Sequence, residues 1–225
     1  MNDDKTYDHE PRSEGPDGHQ ARGHEHARRG TRERIQRVAL ELFTERGYEA
    51  TSLREIAERL DVTKAALYYH FKSKEDIVAS LVEDYFSQLD DLEAWAGTQP
   101  RTPQTRAAIL ARYVRIVADG HDAFRMLQHN QAAMNSLRSA KKHSQDVFRE
   151  RMGGLVDALA GPGADVPERL RAAMVLGGIS IGWMFFADQV DDPDKLGSTI
   201  LDIAAEFSGA YPEGQPPASE PGQRA

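Results

Sequence analysis

Apolar side chains recur along most of this chain at spacings of three and four, and nowhere over a useful length at a spacing of two. Such spacing lays an apolar stripe along one face of a helix and leaves no half-buried strand, so the fold is expected to be all-helical, with no sheet. Ile35, Val38, Ala39, Leu42 and Phe43 form the stripe of a first helix over 31–46, which Gly47 stops. Ser52 and Glu55 make a capping box for a short second helix with Leu53, Ile56, Ala57 and Leu60 facing inward. Asp61 can take the left-handed turn conformation, Val62 packs inward, and Thr63 caps a third helix ending near His70. Ser73 caps a long fourth helix reaching residue 96. Further helices are expected over 102–119, 122–135, 139–160, 167–190 and 193–209. They are parted at Gly120, at Gly161-Pro162-Gly163 and at Asp191-Asp192-Pro193, where a helix must stop or restart.

Composition removes several classes. With 28 Lys and Arg against 36 Asp and Glu the net charge is −8, which rules out a wholesale polycation but not a local basic surface. The absence of cysteine excludes disulfide frameworks, zinc fingers, iron–sulfur sites and thiol nucleophiles, and suits a reducing cytoplasm. Met1 opens onto charge rather than an apolar signal core. The longest uncharged apolar run, 172–187, has 16 residues, fewer than the roughly 18 that span a bilayer, and reads as a buried helix with no membrane partner. Residues 1–30 carry almost no aliphatic side chains and read as a disordered arm. Its His24-x-His26 pair lacks further fixed ligands, so neither metal nor cofactor is expected. Residues 211–225, with four prolines and no apolar period, read as a tail.

Two short helices joined at Leu60-Asp61-Val62-Thr63 and preceded by a longer one make the pattern of a helix-turn-helix unit. At about 100° per residue, Leu67 and Phe71 of the third helix point to the core, leaving Ala65, Ala66, Tyr68 and Tyr69 on the outward arc. Two alanines allow close approach to a groove and offer methyls to thymine. Thr63, Lys64 and the tyrosine hydroxyls can reach phosphates or base edges. Charge is segregated in the same sense: residues 31–74 have nine Lys and Arg against seven acids, residues 75–225 fourteen against twenty-two. An ordinary solvated helix face is the competing reading.

The residues Gly47-Tyr48, Thr51-Ser52-Leu53-Arg54-Glu55-Ile56-Ala57 and Val62-Thr63-Lys64-Ala65-Ala66-Leu67-Tyr68-Tyr69-His70-Phe71-Lys72-Ser73-Lys74-Glu75 resemble the DNA-binding region of the tetracycline-repressor (TetR) family. The resemblance covers roughly residues 31–78. It implies a helix-turn-helix domain over 31–74 and a larger helical effector-binding and dimerisation domain over 75–210, about nine helices in all. It also places Arg54, Lys64, Ala66, Tyr68, Tyr69, His70 and Lys74 at DNA, to which the physical reading of the helix adds Thr63. Asp61 departs from the family, which usually has Gly in the turn. The function implied is a cytoplasmic, sequence-specific transcriptional regulator, most simply a ligand-responsive repressor that binds an inverted-repeat operator in double-stranded DNA as a homodimer.

Beyond residue 78 only physical reading remains. Tyr113, Phe124, Met134, Phe148 and Met152 supply large adaptable side chains that either fill a core or line a cavity for a small apolar effector. His121, Gln128, His129, Asn130 and Gln131 offer polar anchors. Gly177, Gly178 and Gly182 are costly inside a helix, about 1 kcal/mol each, and make sense where another backbone comes close. One helix sandwiched inside its own core would satisfy this; the family resemblance instead implies that Gly178, Gly182 and Trp183 with Leu196, Ile200, Ile203 and Phe207 lie in a four-helix dimer interface. No GxSxG, phosphate-loop, HExxH or paired-carboxylate signature supports an enzyme. A constitutive DNA-binding regulator without effector, or a helical module without DNA binding, are the alternatives.

Overall fold

The computed structural model describes residues 17–130 and 144–208, which form eight α-helices and one 3-10 turn, with no strand among them. The helices are α1 (Asp17–Arg46), α2 (Leu53–Arg59), α3 (Lys64–His70), α4 (Lys74–Thr98), α5 (Pro103–His129), α6 (Ser144–Ala160), α7 (Val166–Phe186) and α8 (Pro193–Ser208), with the 3-10 turn Ala187–Gln189 between the last two. The all-helical expectation holds. Residues 1–16, the tail and Met134 lie outside the described residues, as do the side chains of His129 and Phe148.

Several boundaries differ from the sequence reading, among them the end of the helix expected over 122–135, which stops at His129, and two differences have a plain physical reason. α1 opens at Asp17 rather than near residue 31, so residues 17–30 continue the helix instead of belonging to a disordered arm. Ala, Arg, Gln and Glu propagate a helix already nucleated by the packed stripe, and they need no stripe of their own to do so. α5 runs unbroken through Gly120. A Cβ there would sit 2.7 Å from the Tyr85 ring of α4, so this glycine admits a neighbour rather than ending a helix.

Burial divides the molecule into two cores. The amino-terminal one joins Ile35, Ala39, Leu42 and Phe43 of α1 to Leu53 and Ile56 of α2, Leu67 of α3, Phe71, and Ile77 and Val78 of α4; Met126 and Leu127 at the end of α5 complete it. The second, in the bundle, gathers Leu89 and Leu92 of α4, Ile109, Leu110 and Tyr113 of α5, Leu155 and Leu159 of α6, Leu176, Ile179 and Trp183 of α7, and Ile200 and Ala204 of α8. α4 and α5 each contribute to both. Gln36 of α1 fixes the upper part of α4 by donating to the Ser80 hydroxyl at 2.8 Å and the Asp84 carboxylate at 2.5 Å.

Candidate nucleic-acid interface

α2 is held at both ends, and the turn after it sets the start of α3. Ser52 caps α2 in the expected capping box with Glu55, whose carboxylate accepts from the Ser52 N–H at 2.8 Å. Those bonds, with the Arg46 guanidinium beyond them, hold the Glu55 carboxyl below its ordinary value. At the other end of α2, Val62 N–H donates to the Ala57 carbonyl at 3.0 Å and Asp61 N–H to the Glu58 carbonyl at 3.2 Å. This pair of bonds defines a Schellman turn, and Asp61 takes the left-handed position with φ 54° that such a turn requires. Thr63 then caps α3, its hydroxyl accepting from Ala66 N–H at 3.1 Å.

The turn therefore aims α3 with Leu67 and Phe71 fully inward and Lys64, Ala65, Ala66 and Tyr69 outward; Tyr69 is 61% exposed. Lys64 Nζ lies 5.4 Å from the centre of the half-buried Tyr68 ring. Arg54 is exposed on α2 and paired with Glu58 at 2.7 Å. His70 is pushed toward its neutral form, first by partial burial and then by the Arg28 and Arg32 guanidiniums of α1.

Lys74, expected at DNA, is also engaged within the protein. Its ammonium donates to the Tyr48 carbonyl at 2.6 Å and lies 4.5 Å from the Tyr48 ring centre, so it ties the loop between α1 and α2 to the start of α4. Tyr48 in turn donates its hydroxyl to Glu75 at 2.9 Å. Arg28 and Arg32, which the sequence reading missed, stand beside α3. The signal was available in five arginines between residues 28 and 37 against the single acid Glu33.

The expected dimer residues separate into two sets. Trp183, Leu196 and Ile200 are buried in their own bundle, and a Cβ at Gly182 would sit 3.1 Å from Ile200 of the same chain. They hold α7 against α8 and are not free for a partner. Gly178, Ile203 and Phe207 are exposed, and they are joined on the outer face by Leu170, Met174, Ile181 and Phe185. Met174 and Phe207 are each 68% exposed. The uninterrupted apolar run contained the clue: a helix apolar all round has two faces to cover. With its 3-10 extension this helix spans 24 residues, long and apolar enough by length and composition to cross a membrane, unlike the 16-residue run read from sequence. Its inner side nonetheless packs Ala172, Val175, Leu176 and Ile179 into the bundle core.

No described cavity unites the expected effector residues. Tyr113 is buried with its hydroxyl 2.9 Å from that of Ser180, and burial pushes its phenol up. Phe124 packs edge-on against Tyr85 at 4.7 Å, where it borders a hollow of about 120 Å³ between α1, α4 and α5. Met152 is half-buried against the bundle core. A separate open cleft of about 600 Å³ lies between α5 and α8, lined among others by Arg115, Asp119, His121, Trp183 and Ser198. His121 Nε2 and Trp183 Nε1 are buried there without a hydrogen-bond partner.

A capped, three-helix unit with a polar, small-residue recognition helix above a helical bundle defines a helix-turn-helix protein. Residues 35–81 match the sequence model of the family described as bacterial regulatory proteins, tetR family. Over 63 residues it is 44% identical to the HTH-type transcriptional regulator AcrR of Shigella flexneri, a match covering 28% of this chain and 29% of that protein. It is 42% identical over 53 residues to the biofilm operon icaADBC HTH-type negative transcriptional regulator IcaR of Staphylococcus epidermidis, covering 24% and 29%. The match thus spans under a third of these curated relatives. The fold as a whole resembles a TetR/AcrR-family transcriptional regulator from Thermobifida fusca YX-ER1 (26% identity, TM-score 0.54, 78% of this chain and 97% of that one). It also resembles SmeT in its complex with triclosan (24% identity, TM-score 0.58, 86% and 100%).

Proposed function

We propose that this protein is a DNA-binding transcriptional regulator, most simply a repressor, that reads an inverted-repeat operator as a homodimer and answers to a small molecule. The observation that carries the reading is α3 itself: a Schellman turn and two side-chain caps hold it so that Leu67 and Phe71 are buried while Lys64, Ala66 and Tyr69 face outward. Small residues beside a cation and a phenol suit a helix entering the major groove. Repression is the function named for the negative regulator IcaR.

Dimerisation follows from the apolar outer face of α7 and α8, which a second copy would cover by a two-fold four-helix contact. The effector reading rests on the family resemblance and on the fold shared with SmeT in its complex with triclosan. The cleft between α5 and α8 is the better place for it than the residues first expected, because Trp183 Nε1 and His121 Nε2 would gain a partner from a ligand carrying a hydrogen-bonding group. A ligand releases DNA only if it favours the arrangement that cannot bind DNA; about 100-fold preference supplies roughly 2.7 kcal/mol.

Selection of the full chain on a random duplex pool at moderate salt tests the proposal. Enrichment of an inverted repeat with half-sites roughly 34–36 Å apart is expected. A pool that enriches no motif refutes it.

A further inference from the structure

Resting on the reading of α3 as the recognition helix, we infer that the amino-terminal part of α1 is a second DNA-contacting element, with Arg28 and Arg32 binding backbone phosphates that flank the groove entered by α3. Three observations meet here. The Arg28 guanidinium lies 5.1 Å from the centre of the Tyr69 ring, and Tyr69 is the most exposed large side chain of the outward arc. Arg28 therefore stands on the same surface as the residues that face DNA. Arg32, one turn further along α1, lies 4.5 Å from the centre of the buried Phe71 ring, at the carboxyl end of α3. Both cations act on His70 between them, which is held toward its neutral form and so adds no charge to the cluster.

The charge of this segment is not balanced among the described residues. Residues 28–37 carry five arginines, and the nearby acid Glu33 pairs with Arg29 at 3.2 Å rather than with Arg28 or Arg32. Stacking on an aromatic ring holds a guanidinium in one plane, and its N–H fork remains free to meet two phosphate oxygens. A duplex is the partner with a regular row of such oxygens next to its groove. The helix also extends from Arg28 back to Asp17, eleven residues or about 16 Å at 1.5 Å per residue.

Arg28→Ala and the double variant Arg28→Ala/Arg32→Ala, both in the full chain, test the assignment by fluorescence anisotropy on the duplex enriched by the wild type. Removing one phosphate-binding cation should reduce the slope of log K against log salt by about 0.9, so the slope should fall by about 0.9 for the single and about 1.8 for the double variant. The enriched motif should stay the same, because phosphate contacts carry no base identity. Arg28 is exposed, so its replacement should leave the melting temperature unchanged, and the single variant remains decisive if removal of the Arg32 stack loosens α3. An unchanged slope and affinity in Arg28→Ala overturns the inference while leaving α3 as the reader intact. A changed motif with an unchanged slope overturns it in favour of base contacts. A wild type that binds no duplex overturns both this inference and the function it rests on.

Discussion

The outward face of α3 and the outward face of α7 are both uncovered, and they are made of opposite materials. On α3, Lys64, Ala65, Ala66 and Tyr69 combine small size with polar reach; on α7, Leu170, Met174, Ile181 and Phe185 offer only apolar surface. The first can satisfy a partner that is itself charged and hydrated. The second gains free energy only when water is removed from it, about 25 cal/mol per Å² buried. One chain therefore displays two sites suited to different surroundings, and the inner faces of the same helices explain why each is held still: Leu67 and Phe71 anchor α3, Leu176, Ile179 and Trp183 anchor α7.

The largest effect expected from breaking this contrast is a charge on the apolar face. Phe185→Glu should raise the dimer dissociation constant on the order of 1,000-fold, about 4 kcal/mol, because two carboxylates would be buried across the two-fold contact. The fold of the monomer should survive, since Phe185 is 59% exposed. Sedimentation equilibrium of the variant against the wild type reads this directly. Next in size is the anchor of the polar face: Leu67→Ala, at a side chain with no exposure, should destabilise the amino-terminal core by about 3 kcal/mol and abolish operator binding. Urea denaturation followed by circular dichroism would measure it. Tyr69→Ala should do the reverse, leaving stability unchanged while costing about 1–2 kcal/mol, on the order of ten-fold, in duplex affinity by anisotropy.

How much of this was legible in the sequence follows the same contrast. The amino-terminal domain was readable because its instructions are local: Ser52 with Glu55, Thr63, Ser73 and the Asp61 turn each act within a few residues. Gly120 and Gly182 could not be read correctly because what they accommodate, Tyr85 and Ile200, is remote in sequence. The tether of Lys74 was out of reach for the same reason, its acceptor lying 26 residues earlier on Tyr48. The outer face of α7 was hidden inside an apolar run, where periodicity cannot tell the side facing its own bundle from the side facing out.

A smaller difference between the two regions should appear on titration. In the amino-terminal domain Glu55 and Glu75 are both held below the ordinary 4.5, Glu55 first by the Ser52 N–H and Glu75 first by its own N–H at the start of α4. Depressed carboxylates stabilise fully above pH 4.5 and lose that contribution as pH falls through their lowered folded values. In the bundle Tyr85 and Tyr113 are raised above 10.0 by burial, so their contribution is present below pH 10 and is lost as pH rises through the raised folded values. Both tryptophans, Trp95 and Trp183, lie in the bundle. Acid should accordingly reduce helical circular dichroism before it changes tryptophan fluorescence, while alkali should change the two signals together.

The central claim is that α3 reads a groove while the outer faces of α7 and α8 pair two copies. The stoichiometry of the complex on the enriched duplex, measured by sedimentation, tests both halves at once. Two 25.0 kDa chains per duplex for the wild type, falling to one or none for Phe185→Glu, is the predicted result. A wild type that binds as a single chain, or a Phe185→Glu variant that still binds as a pair with undiminished affinity, would contradict it.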